Sequence, residues 1–62
     1  MCLSKAWMLE AQHGSPIMED IARIVVEDNK LVLLSIFGES TEVKAEILEV
    51  DFTSSKVILR KP

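Results

Sequence analysis

The sequence predicts an all-β domain: a small antiparallel barrel of five to six strands, SH3-like, with an OB-like barrel as the alternative. Three observations carry this reading. Apolar residues make up 48% of the chain and are mostly Ile, Val and Leu, with Trp7, Phe37 and Phe52 as the aromatics, a composition that favours strands. Turn-forming residues recur about every ten positions. Apolar positions alternate in short runs whose phase slips once late in the chain, and such a slip bends a strand as a small barrel requires.

Taken in order, the pattern reads as five strands. The first spans residues 2–11, with Leu3, Lys5, Trp7 and Leu9 on one face and Cys2, Ser4, Ala6 and Met8 on the other. Both faces are largely apolar or small, so the strand is expected to be covered on both sides. Gln12-His13-Gly14-Ser15-Pro16 is a turn, in which Gly14 tolerates positive φ and Pro16 cannot donate to a ladder. Ser15-Pro16 could instead cap a helical turn containing Glu19 and Asp20, but residues 21–26 continue as a β-branched strand. That second strand ends at Glu27-Asp28-Asn29-Lys30, where Asp28-Asn29 suits a hairpin turn. Residues 31–37 are a nearly unbroken apolar run and read as the central strand, buried on both faces.

Gly38-Glu39-Ser40 makes the next turn. Val43, Ala45 and Ile47 then alternate with Glu42, Lys44 and Glu46, after which Leu48, Val50 and Phe52 take over the apolar set. One inserted residue at a β-bulge produces that change of register. A turn at Thr53-Ser54-Ser55 leads to the last strand at residues 57–59.

Residues 1–62 are expected to form a single domain, and a domain this small exposes much of its surface, so its core alone stabilises it only marginally. One cysteine excludes an intrachain disulfide, which leaves oligomerisation or metal as the supplement. A homodimer is expected, with its contact built partly from the first strand around Leu3 or Trp7. No apolar run reaches the length of a membrane span, and Met1-Cys2-Leu3-Ser4-Lys5 lacks the pattern of a signal peptide, so no membrane contact and cytoplasmic residence are expected. A net charge of −3 opposes binding to a phosphate backbone, which makes nucleic acid an unfavoured partner.

Catalytic constellations are missing from the sequence. There is no glycine-rich phosphate loop, no second cysteine and only one histidine, so an enzyme is not expected. Glu42, Glu46, Glu49 and Asp51 read as the solvated face of a strand. His13, beside Gly14, is expected to be solvent-exposed rather than a ligand; Trp7 reads as a core or interface anchor. Met1, Met8 and Met18 are soft donors in principle, but packing is the usual role of methionine.

Cys2 stands apart because of its position. With Met1 as the terminus, its α-amine, the backbone nitrogen of Cys2 and the Cys2 thiolate can chelate one metal in two fused five-membered rings; without Met1, the α-amine and thiolate of Cys2 form a single such ring, and the Leu3 nitrogen is a further candidate donor. A two-fold dimer that pairs two such segments supplies two sulfurs, with nitrogens completing a planar set. Square-planar nitrogen and sulfur coordination suits Ni(II), although affinity order alone favours Cu(II), and Zn(II) stays open.

Met1-Cys2-Leu3-Ser4-Lys5-Ala6-Trp7, the Ile/Val strand near Ile24, residues 31–37, and the closing Val50-Asp51-Phe52 and Val57-Ile58-Leu59 segments together resemble the CooT family. These are small nickel-binding proteins associated with maturation of nickel carbon monoxide dehydrogenase. The likeness spans the whole chain, with the Met-Cys-Leu-Ser-Lys start its specific part. It implies a non-catalytic nickel-binding accessory protein or metallochaperone, a homodimer whose two Cys2 residues hold Ni(II), and a nickel enzyme or maturation protein as partner. Two other readings stand beside it: a small-barrel protein- or RNA-binding module in which Cys2 is incidental, and a thiol redox sensor in which two Cys2 residues form an intersubunit disulfide.

Overall fold

Aliphatic alternation yields six strands in the computed structural model, which describes residues 3–62. They are β1 (Ser4–Met8), β2 (Met18–Val26), β3 (Leu31–Ser35), β4 (Ser40–Val43), β5 (Glu46–Asp51) and β6 (Lys56–Arg60), with a short 3₁₀ turn at Leu9–Ala11. All six belong to one sheet in the order β4-β3-β2-β1-β6-β5.

The expected all-antiparallel barrel needs correcting in two respects. β1 and β6 run parallel, with Ala6 opposite Val57 and Trp7 opposite Ile58, so the sheet is mixed. Parallel neighbours need a long connection, and the whole chain between the first and last strands supplies it. The ladder ends at β4 and β5, and no pairing joins these two ends among the described residues, so the sheet is not closed by hydrogen bonds.

The core gathers Ala6, Ile21, Leu31, Leu33, Ala45, Val57 and Leu59. In β3 the pleat turns Leu31 and Leu33 inward and leaves Val32 and Leu34 half-buried. Each fully buried leucine contributes about 2 kcal/mol by leaving water. β3 lies second from an edge rather than at the centre, and it stops at Ser35. Ile36 and Phe37, expected within it, lie exposed in the turn. The buried Ser35 hydroxyl ends the strand by accepting hydrogen bonds from the backbone N–H groups of Phe37 (3.1 Å) and Glu39 (3.2 Å). Gly38 completes the reversal at a φ of 86°.

The single strand expected across residues 43–52 is two strands, separated at Lys44-Ala45. The chain changes ladder there, from β3 to β6, while Ala45 stays in the core. The expected bulge is present. Ile47 faces Leu59 and Glu49 faces Ile58, so one residue is inserted between them.

β1 is shorter than residues 2–11 because the chain leaves the sheet at Leu9, where the Gln12 side-chain amide donates to the Leu9 carbonyl at 3.1 Å. The alternative helical turn at Ser15-Pro16 does not form, and β2 begins at Met18. Asp20, at a φ of 56°, accommodates the irregularity in the pairing of β2 with β1 between Met18 and Ile21, a conformation that aspartate tolerates. The expected covering of both faces of β1 holds only for its inner face: Lys5 on the outer face is exposed and Trp7 there is half-buried. Ala6 lies in the core, while on the opposite face Trp7 lies next to Ile58, itself only 4% exposed. Among the described residues no helix is long and apolar enough to cross a membrane.

Candidate functional site

The strand start that follows residues 1 and 2 in sequence is fixed by its neighbours. Leu3 is half-buried and leads directly into β1. Ser4 is opposite Ile21 on β2, Lys5 is opposite Lys56 on β6, and the Lys5 N–H donates to the Ser55 carbonyl at 3.0 Å. The tip of the β5–β6 hairpin, residues 52–55, therefore borders the beginning of β1. Phe52 on that tip is 85% exposed.

Turn chemistry holds the tip in place. The Asp51 carboxylate accepts hydrogen bonds from the Thr53 hydroxyl (2.5 Å), the Thr53 N–H (2.9 Å) and the Ser54 N–H (3.3 Å). The Thr53 hydroxyl bond is the largest influence lowering the Asp51 pKa, with the Thr53 backbone bond next. Ser55 closes the turn at a φ of 56°.

Two ammonium groups lie close to the same strand start. Lys5 reaches Glu19 at 3.4 Å. Lys56 stands over the Trp7 ring, 5.3 Å from its centroid. Trp7 is in turn tied to the following turn by a 3.0 Å hydrogen bond from its Nε1–H to the Gly14 carbonyl. It serves as a half-buried anchor on the outer sheet face. Composition gave no hint of this Lys56–Trp7–Gly14 chain, because it joins residues distant in sequence.

Of the predicted nickel donors, Met1 and Cys2 lie outside the described residues; only the Leu3 nitrogen falls within them. His13 is exposed in its turn, as its neighbours in sequence predict. Glu42, Glu46 and Glu49 are exposed, while Asp51 is half-buried and engaged with its own turn. Glu46 pairs with Arg60 at 3.5 Å and Glu42 with Lys30 at 3.2 Å. The first joins β5 to β6 and the second joins β4 to the turn before β3; both lie at the surface and contribute little each. The Glu42 hydrogen bond and charge raise the Lys30 pKa. Among the described residues no group of three or more His, Cys, Asp or Glu side chains could hold a metal ion. The grooves, such as that lined by Glu27, Asp28, Asn29, Lys30 and Lys44, are open to solvent.

These features define a class: a small mixed-sheet β-domain whose described side chains include no metal-holding cluster, and whose one cysteine precedes its first strand in sequence. Comparison with known proteins assigns the family. The model of the CO dehydrogenase accessory protein CooT matches residues 1–60, and the chain belongs to the CooT family. It is 43% identical over 42 residues to an uncharacterized protein of Archaeoglobus fulgidus, an alignment that covers 68% of this chain and 93% of that one. A crystal structure assigned as CooT from Carboxydothermus hydrogenoformans has the same fold, with a TM-score of 0.85, 20% identity, and 98% of each chain covered.

Proposed function

We propose that this CO dehydrogenase accessory protein is a non-catalytic nickel carrier in which Cys2 residues of two subunits hold one Ni(II) ion for delivery to the enzyme during its maturation. The observation that carries the reading is the match to the CooT family over residues 1–60, a span that includes the Met1-Cys2-Leu3-Ser4-Lys5 start. The chain has a single cysteine, so a site with two thiolates needs two chains. Nitrogens of Met1, Cys2 or Leu3 complete the donor set, and nitrogen with sulfur in a plane suits Ni(II).

The surroundings of the strand start support this reading. Lys5, paired with Glu19, and Lys56, over the Trp7 ring, are the basic residues at the end of β1 nearest Cys2 in sequence, and positive charge favours a thiolate. Phe52, at the tip of the hairpin whose Ser55 bonds to Lys5, is an exposed apolar group available to a second subunit. Because the ligand is the deprotonated thiol, nickel binding releases protons and weakens as pH falls.

The test is a titration of metal-free protein with Ni(II), following thiolate-to-metal absorption and native mass together. The parent should saturate at about half an equivalent per chain and give a two-chain, one-nickel species. Cys2→Ser should lose the absorption and the tight binding while keeping its fold, because a hydroxyl is not readily ionised and cannot replace a soft thiolate. His13→Ala should retain most of the binding. Equal affinity and stoichiometry in Cys2→Ser would refute the proposal and favour a binding module in which the cysteine is incidental.

A further inference from the structure

The β5 edge offers a second, unassigned interaction surface. β5 has one sheet neighbour among the described residues, β6, and its other side is an open edge. Ile47 and Val50 are opposite Leu59 and Val57, two residues of the core, and therefore point to the core side of the sheet. They nevertheless remain 38% and 40% exposed, and Leu48 at the bulge is 41% exposed. The core is thus uncovered along this edge, where one more strand would both continue the ladder and bury these side chains. An unpaired edge with exposed apolar side chains is a template for pairing with another chain.

Charge decides what can occupy it. β5 reads Glu46-Ile47-Leu48-Glu49-Val50-Asp51 and the other free edge, β4, reads Ser40-Thr41-Glu42-Val43, so neither contains a basic residue. Pairing β5 with β5 or β4 of a second copy would set carboxylates against carboxylates, which is unfavourable across a ladder. A strand carrying Lys or Arg between aliphatic residues has the opposite property: it meets Glu49 with a positive charge and covers Ile47 and Val50 with apolar groups. We infer that β5 is a docking edge for an extended segment of a different protein in which Val, Ile or Leu alternates with Lys or Arg. This inference is independent of the Cys2 proposal.

The test uses the full chain, ¹⁵N-labelled, and an end-capped eight-residue peptide alternating valine and lysine. Binding should perturb and protect backbone amides along residues 46–51, and should weaken as salt is added. Glu49→Lys should lower the affinity about five- to tenfold, as reversal of one cross-strand charge pair implies, and Glu10→Lys, with the same change in net charge, should leave it nearly unchanged. Any of the following results overturns the inference: no binding at millimolar peptide, equal binding of a valine–glutamate peptide, perturbation centred away from β5, or equal losses in the two variants. Protection of β5 amides in the free protein that grows with its concentration would overturn it in favour of a second copy on this edge.

Discussion

Replacing Ser35 with alanine tests the turn that ends β3. The hydroxyl is buried and accepts two backbone N–H groups, from Phe37 at 3.1 Å and Glu39 at 3.2 Å. Alanine leaves both donors without that partner. Each hydrogen bond contributes about 1 kcal/mol net, and an unsatisfied buried donor costs about 1–3 kcal/mol. Here the donors are only partly buried, so water can replace some of the lost interaction. The expected loss is therefore about 1–2 kcal/mol. The remaining bonds of the turn, Ser35 N–H to the Glu39 carbonyl at 2.9 Å and Gly38 N–H to the Ser35 carbonyl at 3.2 Å, should hold the register. In a domain of this size the loss lowers Tm by about 5–15 °C. Urea unfolding of parent and variant measures it directly, with Gly38→Ala as companion. Open space surrounds the position that an alanine methyl group would take at Gly38, so the cost of that change is the φ of 86° alone, about 1 kcal/mol. The two costs should be less than additive, because both act on one turn. A Ser35→Ala loss below about 0.3 kcal/mol would refute the account of how the strand ends.

Two further outcomes follow from the outer face and the hairpin tip. Trp7→Phe keeps the ring beneath Lys56 but deletes the 3.0 Å bond to the Gly14 carbonyl, and should cost about 1 kcal/mol in urea unfolding with faster amide exchange in residues 12–16. Asp51 has a lowered pKa because the folded turn donates hydrogen bonds to its carboxylate, so the stabilisation is present above the ordinary aspartate value and disappears as pH falls through the lower folded value. Parent and Asp51→Asn should accordingly differ in thermal midpoint at pH 6 and converge on acidification; a difference that grows toward low pH would contradict the assignment.

Several features of the fold were legible because side chains alternate with the pleat. The slip from Ile47 to Leu48 marked the bulge now seen between the Leu59 and Ile58 pairings. The break at Lys44-Ala45 was not legible, since Ala45 keeps facing the core while the backbone changes partner from β3 to β6, and alternation records only the facing. Parallel pairing of β1 with β6 leaves no mark in either strand, because direction is set by the connection. Ile36 and Phe37 misled through their apolar character, whereas Ser35 and Gly38 three residues apart carried the turn signal. The Lys5 and Lys56 pair at the start of β1 emerged only from tertiary register. Family membership was legible in Met1-Cys2-Leu3-Ser4-Lys5, the segment that precedes and opens β1.

If the proposed function holds, the make-up of the sheet bears on why the chain would carry metal rather than keep it. A structural metal site closes its coordination within one chain, and the metal then becomes part of the folding energy. Here the core of β1, β2, β3 and β6 side chains assembles without any metal-ligating group, and the described residues supply no cluster of ligands. On the proposed reading the metal is therefore bound outside that core, by groups that do not build it. Under the proposed function each subunit supplies one sulfur, so nickel is held only while two subunits face one another, and an acceptor offering more sulfurs on one chain competes without having to unfold the carrier. Under that reading, release is easiest when fold depends little on cargo, and a donor at position 2, ahead of the first core residue Ala6 in sequence, meets that requirement.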